Sequence, residues 1–171
     1  MRLVDLSMVT SGDPSPLMSS NMKHISHIQG ALDDERIYGI RPDDWPNRGM
    51  SFADDFIEMT THTGTHMDSP YHMTPITEGR LARTIDEWPL EYCFGDAVVV
   101  DIRDVPDGGL VDKDDLKARM DKIGYTLKPG DIFLTMTGND KLWGKPEYLT
   151  AGGHLTAEAL LWVLDQGVKT V

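Results

Sequence analysis

The residues best suited to chemistry stand together in one short stretch of the chain. Positions 60–74 read TTHTGTHMDSPYHMT, which brings three of the six histidines and one aspartate close together in sequence. Neutral imidazole and carboxylate groups suit borderline divalent metals such as Zn²⁺ and Mn²⁺. Three ligands from one segment, His62, His66 and Asp68, leave coordination positions open for water and substrate, which is typical of a catalytic site. Each histidine alone would more often be an ordinary surface or core residue, but the combined spacing favours a metal site.

Local signals in the same stretch predict how these side chains are presented. Gly64 and the threonines around it argue against a stable helix, so we expect an extended segment with a turn at Gly64. In an extended chain His66 and Asp68 point to the same side. The turn would bring His62 round to join them, and Pro70 would keep the residue before it extended.

The elements that must position this stretch alternate between strands and helices, which indicates an α/β domain. Asp112 and Thr156 are candidate N-caps. The unbroken apolar run near position 99 is typical of a strand covered on both faces. Residues 11–50 show no sustained hydrophobic periodicity of either the strand or the helix type and are predicted to be irregular, with a short helix near His27–Leu32. We predict strands at Leu3–Ser7, Phe52–Thr60, Asp96–Ile102 and Ile132–Thr137, helices at Val111–Ile123 and Leu155–Asp165, one or two helical turns at Leu81–Trp88, and the opening of a strand at Val168–Val171.

Composition narrows the classes of function. The net charge of −12 repels phosphate backbones and argues against nucleic-acid binding. No apolar run is long enough for a membrane helix, and the first residues lack the pattern of a secretory signal. The single cysteine, Cys93, is predicted to be a buried, inert thiol and excludes both an internal disulfide and a thiolate-rich zinc site. Together these features predict a protein of the reducing cytoplasm.

The string HTGTHMDSPYH resembles the signature HxGTHxDxPxH of the cyclase-like metal hydrolases, a family that includes bacterial kynurenine formamidases and isatin hydrolases. Segments outside the signature are similar to the family as well: the opening VDLS, the strand at 95–102, the GDIFLTMTG segment at 130–138 and the helix and strand at 155–171. The resemblance covers nearly the whole chain, residues 1–171.

The resemblance implies a single compact domain with a swivelling β/β/α cyclase-like fold, usually in homodimers or higher homo-oligomers. It implies that His62, His66 and Asp68 bind one or two ions of Zn or Mn, and that His72 is the catalytic acid and base. The implied reaction is cleavage of a C–N bond in a small amide, aryl formamide or cyclic amide. Family members with two ions complete the second site beyond the position where this sequence ends, so we expect the chain to be C-terminally truncated.

Two further interpretations stay open at this stage. A lactone hydrolase or a cyclase/dehydratase could use the same scaffold, because the motif specifies a metal and a base but not the leaving group. The domain could also bind metal without catalysing a reaction. The second interpretation predicts tight metal binding without turnover of any screened substrate.

Overall fold

The computed structural model describes residues 3–8 and 20–171, and the chain divides into two compact units, Met1–Met67 and Asp68–Val171. The boundary falls inside the histidine-bearing stretch 60–74. Strands and helices are mixed as the α/β prediction requires. No helix in the described part of the chain is long and apolar enough to span a membrane.

The first unit consists of an antiparallel strand pair and one helix. Strand β1 (Ser20–Ile25) pairs along its length with β2 (Asp54–Met59). Helix α1 (His27–Tyr38) begins at Ser26, whose hydroxyl accepts the backbone N–H of Gln29, and ends at Gly39 in the left-handed conformation. The strand predicted at Phe52–Thr60 is therefore confirmed as β2.

Two predictions for this unit are wrong. The helix predicted near His27–Leu32 is confirmed as α1, which continues to Tyr38, but residues 20–25 are not irregular, because they form β1. The residues of β2 that pair with β1 are 29 to 39 positions away, from Ile25 with Asp54 to Ser20 with Met59, so no local pattern reveals the pairing. Positions 11–19 lie outside the described residues. The strand predicted at Leu3–Ser7 is absent from the described segment 3–8, where Leu3 and Leu6 are exposed and the Met8 N–H donates to the Thr65 hydroxyl at 2.9 Å. Apolar alternation forms a strand only where an edge is available to pair with it.

The second unit is built on a small parallel sheet. Strand β5 (Ala97–Asp101) runs parallel to β7 (Ile132–Met136), and helix α3 (Lys113–Ile123) lies between them in sequence. The Ile132 N–H donates to Asp96 O, whereas the next N–H, of Phe133, donates to Thr170 O on the other side. Thus β7 lies between β5 and the final residues, and the strand predicted at Val168–Val171 is represented by one bridge at Thr170. The remaining elements are α2 (Pro70–Met73), β3 (Ile76–Thr77), β4 (Arg80–Leu81), β6 (Leu110–Val111), β8 (His154–Leu155), α4 (Ala157–Asp165), and 3₁₀ turns at Pro42–Asp44, Ile85–Glu87, Leu90–Cys93, Asn139–Leu142 and Pro146–Leu149.

The core of this unit covers one face of the sheet. Val98, Val100 and Phe133 are buried against residues of α3 and α4. Alternate residues point the other way, and Val99 is 50% exposed while its neighbour Leu134 is 37% exposed. The prediction that the strand is covered on both faces is therefore wrong for this chain. A continuous apolar run indicates which positions could be buried. It does not indicate whether other elements cover one face of the strand or both.

Both predicted N-caps are confirmed. The Asp112 carboxylate accepts two backbone N–H groups in the first turn of α3, and the Thr156 hydroxyl accepts the Ala159 N–H in α4. Gly124 and Gly167 follow the two helices in the left-handed conformation, with φ of 71° and 88°. The N-caps set where the two helices begin, and the glycines set where they end.

The prediction that Cys93 is a buried thiol is wrong. Cys93 closes a 3₁₀ turn ahead of β5 and is exposed, and the next residue, Phe94, is 88% exposed. Its apolar neighbours suggested burial, but the buried part of this segment begins only at Val98.

Candidate metal centre

The histidine-bearing stretch leaves β2 through a tight bend. The Thr63 N–H donates to Thr60 O at 3.2 Å, and the Thr63 side chain is buried within the bend. Gly64 then adopts φ of 70°, a conformation that side-chain-bearing residues rarely tolerate. The chain continues without regular structure to Ser69, which is extended, and Pro70 opens α2. The turn predicted at Gly64 and the effect predicted for Pro70 are both confirmed.

The turn brings the first two histidines into contact. His62 Nδ1 lies 3.2 Å from His66 Nε2, and the two rings meet edge to face. The other ring nitrogen of His66, Nδ1, lies 2.9 Å from the carbonyl oxygen of Gly64. Because a carbonyl oxygen only accepts hydrogen bonds, Nδ1 carries the proton and the lone pair of Nε2 faces His62. Metal-binding histidines are commonly held in one tautomer by a backbone carbonyl in this way.

Asp68 and His72, the other two candidate residues, belong to the second unit. Together with His62 and His66 they form the set of four candidate residues that we call the cluster. His62 is half-buried, whereas Asp68 and His72 are exposed. Asp68 comes from the extended stretch, and His72 comes from α2, which Pro70 begins.

The donor set fits a divalent metal. Two ligands of one Zn²⁺ ion, each about 2.1 Å from it, lie roughly 3.4 Å apart in a tetrahedron and at most about 4.2 Å apart on opposite sides. The separation of 3.2 Å between the two imidazole nitrogens is close to the first figure. Nitrogen and carboxylate donors in this mixture suit Zn²⁺ or Mn²⁺.

Two features of this stretch were not apparent from the pattern of residues. The carbonyl of Gly64 orients His66, and the hydroxyl of Thr65 binds the backbone of Met8. A backbone carbonyl carries no sequence signal, and the partner of Thr65 is 57 positions away. Two histidines outside the stretch have other partners: His24 contacts Asp55 at 2.5 Å, and His27 contacts the carbonyl of Ser51 at 2.7 Å.

The fold and this stretch together define a class of protein: an α/β protein with histidine and carboxylate ligands grouped at a bend. The family model described as "Putative cyclase", the Cyclase family, matches residues 4–171. The chain belongs to the Cyclase family, so the resemblance to cyclase-like hydrolases is confirmed. Among curated proteins, no significant match is found.

Solved structures of similar fold include isatin hydrolases. One, bound to the product analogue thioisatinate, superposes with a TM-score of 0.68 at 19% identity and covers 96% of this chain and 63% of its own. Isatin hydrolase A from Labrenzia aggregata, bound to benzyl benzoate, superposes with a TM-score of 0.69 at 19% identity and covers 97% of this chain and 64% of its own. Isatin hydrolase A from Ralstonia solanacearum superposes with a TM-score of 0.66 at 22% identity and covers 97% of this chain and 64% of its own. The chain therefore has the cyclase-like fold, and it spans less than two thirds of the length of these relatives.

Proposed function

We propose that this protein is a metal-dependent hydrolase that cleaves a C–N bond in a small amide, aryl formamide or cyclic amide. The observation that carries the proposal is the contact of 3.2 Å between His62 Nδ1 and His66 Nε2, in the stretch that also holds Asp68 and His72. Membership of the Cyclase family and the isatin hydrolases among proteins of the same fold support it.

We assign His62, His66 and Asp68 to the metal. The Gly64 carbonyl supports this role for His66, because it leaves the Nε2 lone pair directed at the cluster. A divalent metal, Zn or Mn, held by these residues would act as a Lewis acid towards a carbonyl oxygen and would lower the pKa of water. One or two ions are expected per chain.

We assign proton transfer to His72. His72 lies in α2, a separate element from the bend that carries the other two histidines, and it is exposed to solvent. Imidazole gains and loses a proton near neutral pH, so one ring nitrogen can take a proton from water and deliver it to the leaving nitrogen. The carboxylate of Asp68 cannot donate in its ionised form, which leaves the histidine as the proton donor.

The test compares two single variants, His66→Ala and His72→Ala, purified in parallel with the parent protein. Elemental analysis should find about one or two equivalents of Zn or Mn in the parent protein and in His72→Ala, but not in His66→Ala. Turnover of aryl formamides and cyclic amides should fall about 10²–10⁴-fold in His72→Ala, the range typical of a lost general acid–base. His27→Ala, which alters a histidine outside the cluster, should change neither quantity.

Each alternative result has a defined meaning. Equal loss of metal from His66→Ala and His72→Ala would make His72 a ligand and refute the division of roles. Tight metal binding without hydrolysis of amides or lactones would leave a non-catalytic metal-binding domain. A parent protein that takes up no metal would refute the proposal. The same preparations, measured by light scattering, test the further expectation of a homodimer or higher homo-oligomer.

A further inference from the structure

A second potential ligand site lies within the unit Asp68–Val171. A cleft of about 610 Å³ opens beside the short strand β4 and the end of α4, and we call it the cationic cleft. Its volume falls in the range of small-molecule sites, roughly 300–1,000 Å³. None of His62, His66, Asp68 and His72 lines it; the nearest shared element is α2, which contributes Pro70 to the wall.

Three basic side chains line the cationic cleft: Arg80, Arg83 and Lys169. None of the three forms an ion pair with a carboxylate among the described residues, 3–8 and 20–171. Glu78 is the only acidic residue among the described residues that line the cleft, and these residues therefore carry an excess of positive charge.

The cleft is a basic patch in an acidic chain, which has 28 acidic and 16 basic residues. Some of the basic side chains elsewhere are paired with carboxylates. Arg119 binds Asp104 and Asp115, and Lys128 binds Asp96 and Asp131. Three basic groups that converge on one cleft without such partners create a local positive potential in an acidic protein, and that potential attracts anions.

The floor and one wall of the cleft are apolar. Ala82 and Val168 are buried at 5% and 0% exposure and form the floor. Trp88 and Tyr92 line the cleft as an edge-to-face pair with ring centroids 5.3 Å apart. The Thr170 hydroxyl donates to Tyr92 O at 2.5 Å and ties this wall to the end of the sheet. Aromatic walls of this kind favour a flat apolar body, because rings pack well edge to face or offset.

We propose that the cationic cleft binds a small aromatic carboxylate, with the anionic group at the basic side chains and the ring against Trp88 and Tyr92. Guanidinium groups match the geometry of a carboxylate through paired N–H donors. None of the four candidate metal-centre residues lines the cleft, so the proposal does not rest on the function proposed above.

Isothermal titration calorimetry with three probes tests the proposal on the full chain. Naphthalene-2-carboxylate carries both features, naphthalene-2-carboxamide keeps the ring without the charge, and acetate keeps the charge without the ring. We expect the aromatic carboxylate to bind at least about fivefold more tightly than either of the other probes. Its affinity should fall when NaCl is raised to about 0.5 M, because salt screens exposed charges.

Variants of the cleft and a charge-matched control complete the test. Arg80→Gln and Arg83→Gln should each raise the Kd for the aromatic carboxylate about fivefold. Lys122→Gln removes an exposed lysine that does not line the cleft and should leave the Kd unchanged. Circular dichroism of each variant verifies folding, and a chelator in the buffer should leave the Kd unchanged if the site is separate from the metal centre. Equal affinity for carboxylate and carboxamide, or parental affinity in a double Arg80→Gln, Arg83→Gln variant, would overturn the proposal.

Discussion

Replacing Gly64 with alanine tests whether the bend positions the metal ligands. Gly64 has φ of 70°, and the contact of 3.2 Å between His62 Nδ1 and His66 Nε2 spans this residue. An L-residue in the left-handed conformation costs roughly 1–2 kcal/mol. The metal-loaded bend requires that conformation, so Gly64→Ala should lower the free energy of unfolding of the metal-loaded protein by about 1–2 kcal/mol.

How much of this penalty appears in the stability of the metal-free protein, and how much in its metal affinity, depends on when the bend forms. If the bend forms as the chain folds, the whole penalty falls on the stability of the metal-free protein. If the metal orders the bend, the penalty appears as an affinity loss of roughly 5- to 30-fold, since about 1.4 kcal/mol corresponds to tenfold. The sum of the two effects is the quantity that the structure predicts.

Urea unfolding with and without metal, combined with calorimetric titration of Zn²⁺ or Mn²⁺, measures both parts. Gly39→Ala is the matched control, because Gly39 has φ of 72°, ends α1 and lies outside the cluster. It should lose a similar amount of stability and keep the parental metal affinity. If metal-loaded Gly64→Ala is as stable as the metal-loaded parent protein, the bend does not require the left-handed conformation and the reasoning fails.

Three further predictions concern the second unit. Asp112→Ala removes the carboxylate that accepts two N–H groups of α3 and should cost about 1 kcal/mol in urea unfolding, whereas Asp112→Asn, which also caps, should cost less. Burial raises the pKa of Asp131, but hydrogen bonds from Lys128 outweigh it and hold that pKa below its ordinary value of 3.8. Because the folded pKa is the lower one, Asp131 contributes stability above pH 3.8 that is lost as the pH falls through the folded value, so Asp131→Asn should flatten the acid limb of a stability–pH curve. Cys93 should react with a thiol reagent such as dithionitrobenzoate in the native protein, since it is exposed; reaction only in denaturant would contradict the structure.

Local sequence signals located several parts of this protein correctly. The caps at Asp112 and Thr156 depend on the residue itself and on N–H groups two or three positions away, so they are visible in the sequence. The turn at Gly64 follows from the freedom of glycine, and the extension of Ser69 follows from the proline after it. For the same reason, the four candidate site residues could be identified from a stretch of eleven positions.

Non-local contacts decided the rest. Strand β1 exists because β2 pairs with it from across α1, whereas Leu3–Ser7, with similar local character, has no strand partner within the described residues. The apolar run of β5 did not reveal that only one face is covered, since coverage depends on where α3 and α4 pack. The cationic cleft likewise combines β4, the turn near Trp88 and the end of α4, which are up to ninety positions apart.

The sequence by itself therefore determined the chemistry of the candidate metal centre, because donor type, spacing and backbone freedom are properties of consecutive residues. Tertiary structure alone decided which apolar surfaces are covered, that Cys93 is exposed, and that three basic side chains line one cleft without a carboxylate partner among the described residues. Burial and ion pairing depend on segments distant in the chain, and the free energy that joins them comes from packing rather than from any local preference.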